Sequence, residues 1–187
     1  MPDKVYTRKG DDGTTQLLFA GKDRVPKSSL RVNAYGEADE AVAALGVARA
    51  EATRSGADDV AELLLRLARE LFVLNAELAT APADVGRLEP GVSLITGDMV
   101  DALEVVIDDL TSRFEQPKDF IVPGNTVLGA HLDLACRVVR RAERAIDALA
   151  RAEQVRSEAR RYVNRLADLV WVIARYAERE HQQPRPR

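Results

Sequence analysis

The sequence predicts an all-α fold, a five-helix up-and-down bundle preceded by a long N-terminal loop. Three observations predict it. Apolar residues recur at three- and four-residue spacing through five separate segments. Short stretches rich in Gly, Pro, Asp and Ser separate those segments, so successive helices fold back on one another. Only Gln16–Phe19 reads as a short strand, and no set of strands accompanies it.

Residues 1–28 hold Pro2, Gly10, Gly13, Gly21 and Pro26 among charges and hydroxyls, and read as loop. A loop of this length is often functional. From Ser29 the pattern turns helical. Ala34, Ala38, Val42, Leu45 and Ala48 or Arg49 give a first helix over about 29–54, ended by Ser55 and Gly56. Asp58 caps a second helix, whose stripe is Val60, Leu63, Leu64, Leu67, Leu71, Leu74 and Leu78. Pro82, Gly86, Pro90 and Gly91 mark a loop over about 81–96. A third helix runs from about Gly97 to Phe114 through Met99, Leu103, Val106, Ile107 and Leu110. The stretch EQPKDFIVPGNT is the next loop. A fourth helix covers about Thr126 to Arg151, a break falls near Ala152–Ser157, and a fifth helix covers about Glu158 to His181. Residues 182–187 form a frayed tail. No repeat and no linker divides the chain, so one domain over residues 1–187 is expected.

Composition narrows the function classes. Hydrophobic residues are 46% of the 187, enough for a sizeable core. A net charge of −3 argues against a general nucleic-acid binder, though not against a local basic site. The N-terminus lacks a secretory signal, and no run nears the ~18 apolar residues of a membrane span, so a soluble cytoplasmic protein is expected. Cys136 is the single cysteine, which suits a reducing compartment. His131 and His181 sit in no metal-binding pattern, so no direct motif holds a metal.

The fourth helix carries the densest charge. At 100° per residue, Arg137, Arg140, Arg141 and Arg144 share one arc of about 100°. Leu134, Ala135, Val138, Ala142, Ala145, Ile146 and Leu149 lie opposite. Charge runs are mostly solvated faces, and Glu143 and Asp147 stand at i,i+3 from Arg140 and Arg144. Four arginines also suit an anion, because guanidinium binds phosphate through two parallel hydrogen bonds.

The N-terminal TRKGDDGTT, Thr7 through Thr15, offers a second half. Arg8 and Lys9 flank Gly10, and Asp11, Asp12, Gly13, Thr14 and Thr15 follow. Glycines let backbone N–H groups approach a phosphate, and Asp11 or Asp12 can reach Mg²⁺. It is no Walker A motif. A plain glycine turn is the competing reading. Lys27 precedes the first helix and reads equally as a solvated lysine. Gly36 inside that helix calls for a packing or ligand-approach reason. Asn164 is a mid-helix amide that fits a ribose, a phosphate or an interhelical contact. Trp171, Ile173 and Tyr176 read as core or subunit interface, and Phe120 as a core plug or a pocket wall.

Five segments in order, YTRKGDDGTT, PKSSLRVNAYGEADE, FIVPG, RRAER and YVNRLADLVWVIARYAE, resemble the PduO-type ATP:cob(I)alamin adenosyltransferases. The resemblance implies a cobalamin adenosyltransferase-like five-helix bundle, a homotrimer, and ATP held between subunits with Mg²⁺. It implies transfer of the 5′-deoxyadenosyl group to cobalamin. By motif match, Thr7, Arg8, Lys9, Gly10, Asp11, Asp12, Gly13, Thr14, Thr15, Lys27, Arg140, Arg141, Glu143, Arg144 and Asn164 would bind ATP. Arg140, Lys27 and Asn164 would be the catalytic residues. Phe120 would displace cobalamin's lower ligand. Asp39 would pair across subunits with an arginine whose usual place is Cys136, so Arg137 is expected to take that role. A second departure is Asn125 after Gly124, where related sequences often carry two glycines. A cobalamin reductase and a cobalamin-dependent acceptor enzyme would be partners. The rival readings are a non-catalytic adenosylcobalamin carrier of the same fold and a helical adaptor.

Overall fold

Hydroxyl caps set most of the helix starts. In the computed structural model, which describes residues 6–119 and 121–180, Ser29 accepts from the Val32 N–H and opens α1, Leu30–Arg54. Thr96 and Thr126 do the same for α3, Gly97–Thr111, and α4, Val127–Ala152. Helix α2 is Asp58–Leu78. Its cap position is Ala57 rather than the expected Asp58, and Asp58 and Asp59 instead place negative charge in the first turn, against the positive helix end. Helix α5 is Ser157–Ala177. It ends at Ala177, four residues short of the expected His181, where the backbone N–H of Glu178 donates to the Ala174 carbonyl and residues 178–180 turn away from helix; His181 itself and the tail beyond it lie outside the described residues. Helix α3 stops three residues before Phe114, where the Ser112 hydroxyl donates to the Asp109 carbonyl at 2.7 Å.

Two loops differ from expectation. Pairing in the N-terminal segment is not at Gln16–Phe19 but between β1, Thr14–Thr15, and β2, Val25–Pro26, which run antiparallel. Phe19 has φ 63°, in the left-handed region, so an extended run cannot pass through it. Leu18 keeps one isolated bridge, its N–H donating to the Ala79 carbonyl at 3.0 Å. The 81–96 loop contains a short 3₁₀ turn at Pro82–Arg87, with proline at its start.

Helix α1 packs on α2 and α4, α4 on α5, and α5 on α3. The ion pairs give the directions. Arg31–Glu153 and Arg141–Glu37 make α1 and α4 antiparallel, while Arg161–Asp101 and Arg165–Glu104 make α3 and α5 parallel. The chain therefore alternates up and down through five helices. The core runs along their shared axis. Helix α1 contributes mainly alanines, Ala34, Ala38, Ala41, Ala48 and Ala52 with Leu45, all fully buried. Ala41 takes the place expected of Val42, which is only half-buried. On α4, Leu134 leaves the apolar side and is 60% exposed. Among the described residues, no helix is long and apolar enough to cross a membrane.

One polar side chain joins the core of one end. Arg31 is 5% exposed, in register with the α1 alanines. Its Nη1 donates to the carbonyls of Leu78 and Thr80, both at 2.9 Å, and its Nε and Nη2 hold Glu153 at 2.9 and 2.7 Å. It ties the start of α1 to the ends of α2 and α4. Since Leu18 bridges to Thr80, it also supports the N-terminal loop from below.

Candidate functional site

The N-terminal loop folds on its own polar groups. Asp12 Oδ1 accepts from the Thr14 N–H at 2.9 Å and from the Thr14 hydroxyl at 2.7 Å. These bonds favour the ionised form, and with Arg24 nearby they hold the Asp12 carboxyl below its usual range. Gly13 has φ 79°, a left-handed turn that glycine adopts without strain. Arg8 adopts φ 61° without that freedom. Lys27 crosses the base of the turn. Its Nζ donates to the Gly10 carbonyl at 2.9 Å, and its backbone N–H donates to the Gly13 carbonyl at 2.9 Å. Arg24 clamps the other side, reaching the Lys9 carbonyl at 2.6 Å, the Thr14 carbonyl at 2.9 Å and the Thr14 hydroxyl at 2.6 Å. Sequence reasoning passed over Arg24. The signal was a cation between Gly21 and Pro26, ten residues beyond Thr14.

The arginines of α4 do not act as one face. Helix α4 lies between α1 and α5, and its arc straddles the two grooves. Arg141 turns to α1, where it pairs with Glu40 and Glu37. These two carboxylates, Glu40 first, raise its pKa above the ordinary arginine value. Arg140 turns to α5, with Nη2 at 3.3 Å from Asp168 Oδ1. Arg144 folds back on the Arg140 carbonyl at 3.0 Å and stays exposed. Arg137 is exposed and lines a cleft of about 470 Å³ with Arg140, Asp168, Trp171, Ile107, Thr111, Gln116 and Val172. Ile173 is core, and Trp171 and Tyr176 pack partly buried against it.

A second cleft, of about 370 Å³, lies beside the first between α4 and α5. Glu143, Asp147, Arg160, Arg161 and Asn164 line it with Ile146 and Val163. Asn164 Nδ2 donates to Glu143 Oε1 at 2.7 Å, so the two polar residues singled out on neighbouring helices do meet. Arg160 and Arg151 both pair with Asp147, whose pKa is lowered, by Arg151 most.

Cys136 faces inward, fully buried, with Sγ at 3.5 Å from the Ala167 carbonyl. Burial raises its thiol pKa despite the Arg137 and Arg140 charges, so it is a poor nucleophile. Asp39 is exposed on α1 and makes no contact with Arg137 recorded in this chain. A Cβ at Gly36 would meet nothing within 4 Å, so the expected packing reason is not found within this chain. Phe120 lies outside the described residues.

The arrangement therefore has two parts. The hydrogen bonds of residues 7–15 run among themselves and to Arg24 and Lys27, and those of the α4 arginines run to α1, α5 and α4's own backbone. Both parts offer cations and hydrogen-bond donors suited to a polyanion. Among the described residues, no group of three His, Cys, Asp or Glu side chains forms a metal cage.

The chain was compared with known proteins. The cobalamin adenosyltransferase family profile matches residues 5–177. A corrinoid adenosyltransferase of Citrobacter freundii is 37% identical over 175 residues, 94% of this chain and 95% of that one. The corrinoid adenosyltransferase PduO of Salmonella typhimurium is 38% identical over 179 residues, and the chain spans about half of its length (51%). A solved structure of a point variant of the PduO-type ATP:corrinoid adenosyltransferase of Lactobacillus reuteri, complexed with cobalamin and ATP, superposes with a TM-score of 0.85 at 35% identity, covering 97% of each chain.

Proposed function

The chain belongs to the cobalamin adenosyltransferase family, and we infer from that premise that it transfers the 5′-deoxyadenosyl group of ATP to the cobalt of reduced cobalamin, releasing triphosphate. The observation that carries this reading is the family match over residues 5–177, and the cations of the N-terminal loop and of α4 suit the triphosphate it requires. Reduced cobalt(I) is itself the nucleophile and attacks the ribose C5′, so no proton has to leave it. The protein's tasks are to hold C5′ in line and to neutralise the departing triphosphate.

Lys27, Arg140 and Asn164 carry those tasks. Lys27 and the turn of Thr7, Arg8, Lys9, Gly10, Asp11, Asp12, Gly13, Thr14 and Thr15 take the phosphates. Arg140 and Arg144 approach them from the helical side, and Arg141 and Glu143 order the groups around them. Asn164, already bonded to Glu143, is placed for a ribose hydroxyl. Mg²⁺ carried by the triphosphate would be held by Asp11 and Asp12, whose carboxylates lie in the turn. Mg²⁺ keeps its waters and needs only one or two carboxylates beside phosphate oxygens, which Asp11 and Asp12 supply. When bound it would supply charge neutralisation at the leaving group.

The site is proposed to take its loop from a neighbouring subunit of a homotrimer, as the family resemblance implies; that loop and helix bond separately within one chain is compatible with this. Asp39 and Arg137 are both exposed and suit a cross-subunit pair. Phe120, by its place in the sequence motif, is proposed to meet the corrin. A reductase supplies the low-valent cobalt, and a cobalamin-dependent enzyme receives the product.

An anaerobic assay tests the reaction. ATP and chemically reduced cobalamin are mixed with the protein, and the carbon–cobalt bond is followed by absorbance. Bond formation at stoichiometric turnover supports the reading. Cobalamin binding without bond formation would leave a carrier, and no spectral change at all would remove the corrinoid from the account. For the trimer, additive effects of Asp39→Ala and Arg137→Ala on sedimentation and ATP affinity would argue against their pairing.

A further inference from the structure

We propose that Glu178 is a positioning residue for the corrinoid half of the reaction: its buried carboxylate clamps the start of α4 and so fixes residues 121–126, the segment that follows Phe120. The proposal rests on the reading of Phe120 as a corrin-side residue.

Glu178 comes directly after α5 and is fully buried. A carboxylate there faces the negative end of its own helix, an unfavourable place. It is held instead by the positive end of α4. Its Oε1 accepts from the Thr126 N–H at 3.1 Å and from the Thr126 hydroxyl at 3.4 Å. That hydroxyl accepts in turn from the Gly129 N–H at 2.9 Å, which is the helix cap itself. Its Oε2 lies 3.5 Å from Arg175 Nη2, and the same nitrogen pairs with Asp133 at 2.5 Å. Asp133 and Arg175 are also buried. Two carboxylates thus share one guanidinium, and the helix dipole of α4 offsets the remaining negative charge.

Gly129 is what admits the carboxylate. A Cβ at that position would collide with the Glu178 side chain. Glycine is a poor helix former, and in the first turn of α4 Gly129 leaves the space that Glu178 fills. The clamp therefore joins α5, α4 and the loop entering α4 at one point, and the α4 cap cannot shift without breaking it.

Two variants of the full chain break the clamp in opposite ways. Glu178→Gln keeps an acceptor and removes the charge, while Gly129→Ala keeps the charge and expels the side chain. Loss of a charge-assisted hydrogen bond should raise the KM for cobalamin about tenfold in each while the KM for ATP stays within about twofold. Amide hydrogen exchange over residues 121–130 should accelerate in both, and the double variant should be no worse than the poorer single. A purely structural role would move both KM values together or neither, and either result overturns the proposal. If Gly129→Ala does not fold, Glu178→Gln alone decides. Phe120→Ala, run beside them, separates the two failures. No change in its cobalamin KM removes the corrin-side reading of Phe120. A raised cobalamin KM there, with none in the clamp variants, removes the clamp alone.

Discussion

The two cationic regions hold their charges in different ways. In the N-terminal loop, Lys27 and Arg24 donate to carbonyl oxygens and a hydroxyl, which are neutral. On α4, Arg140 and Arg141 face the carboxylates of Asp168, Glu37 and Glu40. A cation bonded to a carbonyl keeps its charge, and over residues 6–27 Arg8, Lys9, Lys22, Arg24 and Lys27 outnumber Asp11, Asp12 and Asp23, so the loop carries a net positive charge that suits the proposed triphosphate. A cation bonded to a carboxylate is compensated, and a phosphate must compete for it. Under the proposed function, the loop would attract the anion and the helix would select it by geometry.

The largest way to break this comparison is at the selecting side. Arg140→Ala should lower kcat by about 10²-fold or more, the size seen when a donor to a developing charge is removed. Its circular dichroism should stay that of the parent, because Arg140 is only partly buried. Near-normal turnover in a folded variant removes Arg140 from the leaving-group role. Next comes the attracting side. Arg24→Ala deletes three bonds of the loop, and the KM for ATP should rise about tenfold with kcat less affected, since lost ordering falls on binding. Equal losses in kcat and kcat/KM would instead place Arg24 in the transition state.

A smaller change sharpens the contrast. Glu37→Gln with Glu40→Gln frees Arg141 from its carboxylates. Tighter ATP binding by about two- to threefold is expected, with a steeper loss of affinity as salt rises, because such partly exposed pairs are worth little. Calorimetric titration at two ionic strengths reads it, and an unchanged salt slope would show that Arg141 does not meet the nucleotide.

The smallest effect lies beneath the loop. Glu77 is 5% exposed and accepts from the Ile95 N–H at 2.8 Å. Burial raises its pKa above the ordinary 4.5. The folded state thus holds this proton more tightly than the unfolded state, and stability falls as pH rises through the window above 4.5. Glu77→Gln should raise Tm by about 2 °C at neutral pH, and the gain should vanish under acid conditions. A Tm difference that does not change with pH would contradict the raised pKa.

The bundle was legible because long apolar stripes at helical spacing leave few alternatives. Val60 through Leu78 on α2 set a period that tertiary contact only confirmed. The alanine-rich α1 was harder. Alanine is weakly apolar, so Val42 outweighed Ala41 in the pattern, although the alanine is the buried one. On α4 the helical wheel gave the arginine arc its width but not its neighbours. Only the packing of α1 and α5 on either side decides that Arg141 and Arg140 part company. Arg31 could have been found, because a lone arginine in register with Ala34 and Ala38 cannot be solvated. Glu178 could not, since its partner Thr126 stands 52 residues away and nothing local marks the pair.

Arg31 also imposes an order on synthesis. Its partners lie 47, 49 and 122 positions downstream, at Leu78, Thr80 and Glu153. A growing chain makes the N-terminal loop before α4, yet the bonds beneath that loop wait until α4 is almost complete. Contacts so distant in sequence form late. The N-terminal loop, made before α4, is therefore among the last parts to take its final shape, and a chain cut short before Glu153 would carry that loop with half its foundation missing.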